Sequence, residues 1–375
     1  MKFSNASGGV AGWTSGFERD GRELLVVIVK CTYRLPENGA DACLAETQLA
    51  LVQADEFSGE PGLSAPLRET DYAQRKPGCD VLLVGSAHAP PGTQVTRLAV
   101  GLQVGTLQKS FMVVGPRIWR KRIGTLAASE PARFATLPLS YDCAFGGTDP
   151  GQGTGAADAA DAASGRQTYL ANPVGRGFWP RSGRAEGEPL PHTEQIGVPV
   201  EKPGGSYLPM AFSPIGRHWA PRAAYAGTYD KRWQEEQAPL WPDDFDYRYF
   251  QGAPPDQVMA YPRGGEAVAL HHLTPDGLRR FRLPQRAMPV TFIPHRGRDL
   301  TQQAVIDTIV FEPDADRFTL TWRSTLALGH SLFDVREVIA GEMSKAWHRS
   351  RRFPGKTYYP SLADVVARRR ATGAL

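Results

Sequence analysis

The chain has few of the residues that mark reactive or exported proteins. Its four cysteines, Cys31, Cys43, Cys79 and Cys143, make no CxxC pair and no tightly spaced disulfide framework. Zinc ribbons, thioredoxin-like redox motifs and disulfide-stapled scaffolds are therefore excluded, and free buried thiols in a reducing compartment are expected. Long apolar runs are missing too. The longest, Leu24 to Val29, has six residues, far short of a membrane span. The opening MKFSNASGGVAGW lacks the apolar centre of a secretory signal, so a cytoplasmic protein is expected. The formal net charge of +4 is too small to imply nucleic acid, and no RNP, zinc-finger or helix-turn-helix signature accompanies it. There is no HExxH, and GGTDPGQGTG near Gly146 lacks the Gly-Lys-Ser/Thr ending of a phosphate loop. Neither a metal nor another cofactor is expected.

Glycine and proline are abundant, at 39 and 31 residues, which favours turns over long helices. The first third reads as strands. Leu24 to Val29 is a continuous branched run suited to burial on both faces, and it leads through Lys30 to Tyr33 into a turn at Pro36 to Gly39. Cys79 to Val84 is similar. Leu98, Val100, Leu102 and Val104 alternate with more polar neighbours, and Phe111 to Val114 continues the series. Further strands are expected at Val268 to Leu273, Leu278 to Leu283, Pro289 to Ile293 and Val305 to Phe311. Phe318, Leu320 and Trp322 alternate with Thr319, Thr321 and Arg323 as in a half-buried antiparallel strand. Val335, Val338 and Ile339 suggest a short helix. Ser361 with Asp364 suggests an N-cap for another, with Leu362, Val365 and Val366 as its apolar stripe and Arg368 to Arg370 at its end. The expected fold is mainly β, a sandwich of antiparallel sheets with long ordered loops and a few short, mostly C-terminal helices. Residues 1–316 would form the main domain, with a flexible insertion at 150–166. Residues 317–375 would add a basic strand and helices packed on the same domain. They carry eleven Lys/Arg against four Asp/Glu, a net of +7, which leaves −3 for the rest.

The middle, from Tyr141 to Glu266, packs short aromatic, Gly, Pro and charged blocks one after another. Long ordered loops on a rigid scaffold usually recognise something. Half of the eight tryptophans lie there, Trp179, Trp219, Trp233 and Trp241. Core packing explains most single tryptophans, but loops rich in Trp, Tyr and Arg are also how protein-binding surfaces build hot spots. Candidate catalytic groups are weaker. Gly329-His330-Ser331 follows an apolar strand like a nucleophile elbow, yet the second Gly is missing, since position 333 is Phe. His271 and His272 are adjacent, and neighbours in a strand face opposite ways. Glu188, His192 and Glu194 place two acids and an imidazole in one Pro-rich loop. Asp243, Asp244, Asp246 and Asp256 could supply a carboxylate pair for glycoside hydrolysis. Acids alternating with aromatics also suit a loop whose carboxylates accept backbone N–H bonds.

Several blocks together carry a resemblance. VVIVKCTYRL at Val26 to Leu35, KPGCDVLLVGSAHAP at Lys76 to Pro90, GPRIW at Gly115 to Trp119 and LSYDCAFGGTD at Leu139 to Asp149 resemble a bacterial domain-of-unknown-function family of type VI secretion adaptors. The similarity continues through NPVGRGF at Asn172 to Phe178, LPHTE at Leu190 to Glu194, SPIGRHWAPR at Ser213 to Arg222 and AGTYDKRW at Ala226 to Trp233. It ends with LWPDDFDYRYFQGAPPDQ at Leu240 to Gln257 and GGE at Gly264 to Glu266. Pro116, His192, Met210 and Ser213 depart from the commoner form. The resemblance implies a cytoplasmic adaptor or chaperone that loads a secreted effector onto the VgrG-type spike protein and its PAAR-type tip, without turnover. It supplies no catalytic residue.

The expected function is therefore a non-enzymatic effector-loading adaptor. Trp179, Trp219, Tyr229, Trp233 and Tyr249 are its candidate partner contacts, chosen as aromatic residues within the loop blocks. One alternative is a hydrolase using Ser331 or the acids from Asp243 to Asp256. The other is a structural component of the secretion particle.

Overall fold

A run of leucine and β-branched residues can bury both faces of one strand, and Glu23–Arg34 does this from Leu24 through Tyr33. In the computed structural model, which describes residues 1–149, 167–181, 184–352, 359 and 361–371, this strand belongs to a six-stranded sheet. The strand order is Val258–Met259, Cys79–Leu83, Val305–Glu312, Arg317–Ala327, Glu23–Arg34, Val10–Phe17. Arg317–Ala327 runs antiparallel to Glu23–Arg34 in unbroken register, from Arg317 opposite Arg34 to Ala327 opposite Leu24. The expected insertion at 150–166 lies outside the described residues.

Leu25, Val27 and Val29 point inward and share one core with two further sheets. The five-stranded sheet contributes Val100, Leu102 and Val104 from Arg97–Val104, Phe111 and Val113 from Leu107–Val114, and Leu270 from Ala267–His271. The four-stranded sheet contributes Val290 and Phe292 from Pro289–Pro294 and Val338 from Val335–Ala340. Each such side chain contributes about 1.5–3 kcal/mol on burial, which makes this layer the main source of stability. The architecture is mainly β and mostly antiparallel. Among the described residues the parallel pairs are Lys2–Asn5 with Val335–Ala340, Cys79–Leu83 with Val305–Glu312, and the short Phe145–Gly146 with Arg176–Gly177. Helices are short. Ala220–Ala223 and Lys231–Glu236 lie in the middle, and Lys345–Arg352 and Leu362–Ala371 come last.

The opposite face of the six-stranded sheet is covered by the strap at residues 49–76. Leu51 and Tyr72 pack on Leu24, Val26 and Ile28. The edge strand Val10–Phe17 admits the strap only because glycine stands beneath it. A Cβ on Gly12 would come within 2.7 Å of Leu51 Cδ1, and one on Gly16 within 2.1 Å of Gln74 Nε2.

Three expectations are corrected. Thr319, Thr321 and Arg323 are as buried as Phe318, Leu320 and Trp322, because the strap closes the face that alternation assigned to solvent. Val335–Ala340 is a strand, since its branched residues pair with both Lys2–Asn5 and Pro289–Pro294. Cys43 is exposed, while Cys31, Cys79 and Cys143 are buried free thiols. At Ser361 the capping geometry appears as read: Ser361 Oγ accepts from Asp364 N at 3.2 Å, and the Asp364 carboxylate accepts from Ser361 N at 3.1 Å.

Candidate functional site

The aromatic blocks fold into a lobe centred on Phe245. Trp241 stacks on its ring at 4.4 Å, while Tyr247, Phe250 and Tyr249 meet it edge-on at 5.6, 5.7 and 6.0 Å. The alternation of acids with aromatics now has a cause: the rings turn inward and the acids hold the backbone. Asp246 accepts from Arg248 N at 2.8 Å and caps the one-turn helix Tyr247–Phe250. Asp244 accepts from Thr228 N at 2.9 Å and from the Thr228 hydroxyl at 2.7 Å. Asp243 accepts from Gln237 Nε2 at 3.0 Å. The lobe is tied to the end of the edge strand by Tyr247, whose hydroxyl donates to Glu18 at 2.7 Å, and to the strap by Trp241, whose Nε1 donates to Gln74 at 3.2 Å. Burial, then the bond to Glu18, pushes the Tyr247 phenol up to about 12.

Part of the lobe faces outward. Helix Lys231–Glu236 begins at Asp230, whose carboxylate accepts from Trp233 N at 2.8 Å. The Trp233 indole is fixed by its N–H to Leu240 O at 2.9 Å, and Tyr229 meets it edge-on at 4.7 Å. Tyr229 stays 50 % exposed, so this pair presents aromatic surface on a fixed frame. Arg248 lies over the Tyr225 ring at 4.3 Å and rims a recess of about 240 Å³ with Ile215, Pro221, Ala253 and Val258.

The structure does not gather all five aromatic candidates. Trp219 is 0 % exposed, edge-on to Tyr141 at 5.3 Å, and offers no face to a partner. It is a core residue, which corrects its selection as a contact. Trp179 is half-buried on a separate cluster with Trp119, Phe145 and Phe178. Tyr249 is half-buried at the lobe, where its carbonyl accepts from Arg222 Nε at 2.7 Å. Tyr229, Trp233 and Tyr249 thus share the lobe, and Trp179 stands elsewhere.

The catalytic candidates have structural occupations. Ser331 Oγ accepts from Phe333 N at 3.2 Å, and Asp334 answers Ser331 N at 3.3 Å, closing a capping box around the turn Leu332–Asp334. Hydrogen bonds from the Thr228 hydroxyl hold Asp244 below the usual carboxylate range, and the Arg248 guanidinium does the same for Asp246. A glycosidase acid needs the opposite shift. Asp256 is paired with Lys109 at 3.0 Å. Glu194 is buried and accepts from Arg117 at 2.7 Å and Val200 N at 2.9 Å, so it is engaged away from any imidazole pair. His192 falls to about 4 through burial and the nearby Arg176 and Arg117 cations. His272 adopts φ 54°, which ends the strand after His271. Among the described residues no group of three or more His, Cys, Asp and Glu is arranged to hold a metal ion. No helix among them is long and apolar enough to cross a membrane.

Residues 20–323 match the model of a family described as an uncharacterized protein conserved in bacteria (DUF2169). The chain belongs to this family. The matched span contains the aromatic lobe, the strap and most of the three sheets, and it ends within the central strand Arg317–Ala327. No curated protein and no solved structure matches the chain.

Two features of the family span were not read from the sequence. The first is the Arg248–Tyr225 rim, which joins residues 23 positions apart and has no local signature. The second is a cleft of about 590 Å³ between strap and sheet, bordered by Lys30, Asp71, Lys76, Glu312, Arg317 and Arg323. Its charges are paired: Lys30 with Asp71, Lys76 with Asp80 at 2.7 Å, Arg323 with Asp307, and Glu312 with Arg68 and Arg317. A lone Lys30 inside an apolar run was the signal available.

Proposed function

We propose that this chain is a non-enzymatic adaptor that holds another polypeptide through the outward part of the aromatic lobe. The resemblance gives the partner its identity: an effector of type VI secretion, received in the cytoplasm and passed to the spike protein and its PAAR-type tip. The Tyr229–Trp233 pair carries this reading. The Trp233 ring is held by a helix cap and an indole hydrogen bond, and half-exposed Tyr229 packs edge-on against it, so the indole has little side-chain entropy left to lose on binding. The recess beside Arg248 and Tyr225 is of a size to take one apolar side chain of the partner. Ser331 and the acids near Asp243 support the reading indirectly, because each already serves as a cap or turn clasp.

The test is co-purification of effector and spike with the native chain and with a Tyr229→Ala, Trp233→Ala double variant. Loss of both partners with a Tm within a few degrees of the parent is the expected result. Unchanged recovery would remove the lobe from the interface.

A further inference from the structure

A two-stranded hairpin, Trp119–Arg122 with Thr125–Ala128, stands outside the three main sheets. Antiparallel pairing sets Trp119 opposite Ala128, Arg120 opposite Ala127, Lys121 opposite Leu126 and Arg122 opposite Thr125. Trp119, Leu126 and Ala128 pack into the cluster of Phe145, Leu190 and Phe178, and Arg120 and Arg122 occupy the other face. Arg120, Lys121 and Arg122 are all exposed, and among the described residues no ion pair holds any of them. The two-residue loop places Ile123 at φ 38° and Gly124 at φ 81°. Such a turn is normally made by Asn-Gly or Asp-Gly, and a β-branched residue at positive φ is a genuine outlier. Ile123 is also fully exposed, at 105 % of its reference surface. An apolar side chain kept in a strained conformation at a solvent-facing tip gains nothing from the fold itself.

We infer that this hairpin is a membrane-docking finger, in which Ile123 enters the acyl boundary of an anionic lipid surface while Arg120, Lys121 and Arg122 meet the headgroups. The charge distribution selects this occupant. The tip is basic, whereas acids stand at the base: Glu188, whose carbonyl receives Trp119 N at 2.9 Å, the exposed Glu186, and Glu130 just beyond the second strand. A polyanion laid along the hairpin would meet those carboxylates. A flat anionic plane approached by the tip meets Arg122 and Lys121, the cations next to the turn, first. A hollow of about 430 Å³ lies beside the guanidinium groups, bordered by Arg120, Lys121, Arg122 and Ser129 and, on its far side from the turn, by Glu130. Ile123 needs no shaped pocket in hydrocarbon, whereas a protein or a nucleic-acid groove would have to provide one. Three cations and one isoleucine make a weak, reversible and salt-sensitive attachment. The inference is independent of the aromatic lobe.

The experiment is sedimentation of the purified full chain with vesicles of phosphatidylcholine alone and with about 30 % phosphatidylglycerol added, an amount sufficient for a strongly negative surface. The native chain should sediment with anionic vesicles about ten-fold more than with neutral ones, and the difference should collapse when salt shortens the Debye length. Ile123→Asn keeps the turn and relieves its strain, so it should bind several-fold less while melting no lower than the parent. Arg120→Glu with Arg122→Glu should abolish binding. Equal sedimentation of parent and variants, or none by the parent, would overturn the inference. So would a preference for duplex DNA over vesicles at equal salt, or self-association that the same substitutions remove.

Discussion

Arg323 illustrates how single residues set the stability of this molecule. It is buried under the strap, donates to Asp307, and bonds the carbonyls of Asp71 and Ala73 at 2.9 and 2.7 Å. The bulge that sets Asp307 out of register brings its carboxylate to Arg323. Arg323→Ala leaves Asp307 as an unpaired buried charge, and a loss of about 3–5 kcal/mol is expected in denaturant titration. His192 gives a pH-dependent counterpart. Its folded pKa, about 4, lies below its ordinary 6.5, so the unfolded chain binds the extra proton first. Its contribution is complete above pH 6.5 and is lost as pH falls toward 4. The Tm of His192→Asn should therefore fall less steeply than the parent's across that window. These positions were only partly legible. Lys30 interrupts an apolar run in VVIVKCTY, but its partner Asp71 is 41 residues away, and strand alternation placed Arg323 in solvent. Pairing across such separations leaves no mark in a window of neighbouring residues.

Among elements, the hairpin Trp119–Arg122 with Thr125–Ala128 makes the sharpest prediction. Ile123→Asn replaces a strained branched residue with one that tolerates positive φ, and should raise stability by about 1 kcal/mol in urea unfolding. Long strands were the most legible elements. Leu24 to Val29 announced burial on both faces through composition alone, and the alternation at Leu98 to Val104 gave both strand and inward face. Val335–Ala340 was misread because Val335, Val338 and Ile339 satisfy helical spacing as well as a short buried strand does, and only the neighbouring strands decide between them. In the lobe, DDFDYRYF was legible as acids clasping backbone. The inward turn of Trp219 was not, since nothing in SPIGRHWAPR distinguishes a buried indole from an exposed one.

At the scale of the whole molecule, two dependencies matter. The strand Arg317–Ala327 lies between Val305–Glu312 and Glu23–Arg34 and places Phe318, Leu320 and Trp322 in the shared core. A fragment ending at residue 316 should therefore fail to fold, giving no cooperative melting transition, whereas an independent first domain would melt near the parent Tm. The second bears on the proposed function: the body carries the lobe through the Tyr247–Glu18 and Trp241–Gln74 bonds, with Tyr229 left half exposed. The most direct measurement is the recovery of type VI effector and spike from cells expressing both, using the native chain and the Tyr229→Ala, Trp233→Ala variant at matched Tm. Recovery with the native chain and its loss in the variant is the expected result. Absence of both partners from the native sample, or equal recovery from the two, would contradict the proposal that this protein is an adaptor working through its aromatic lobe.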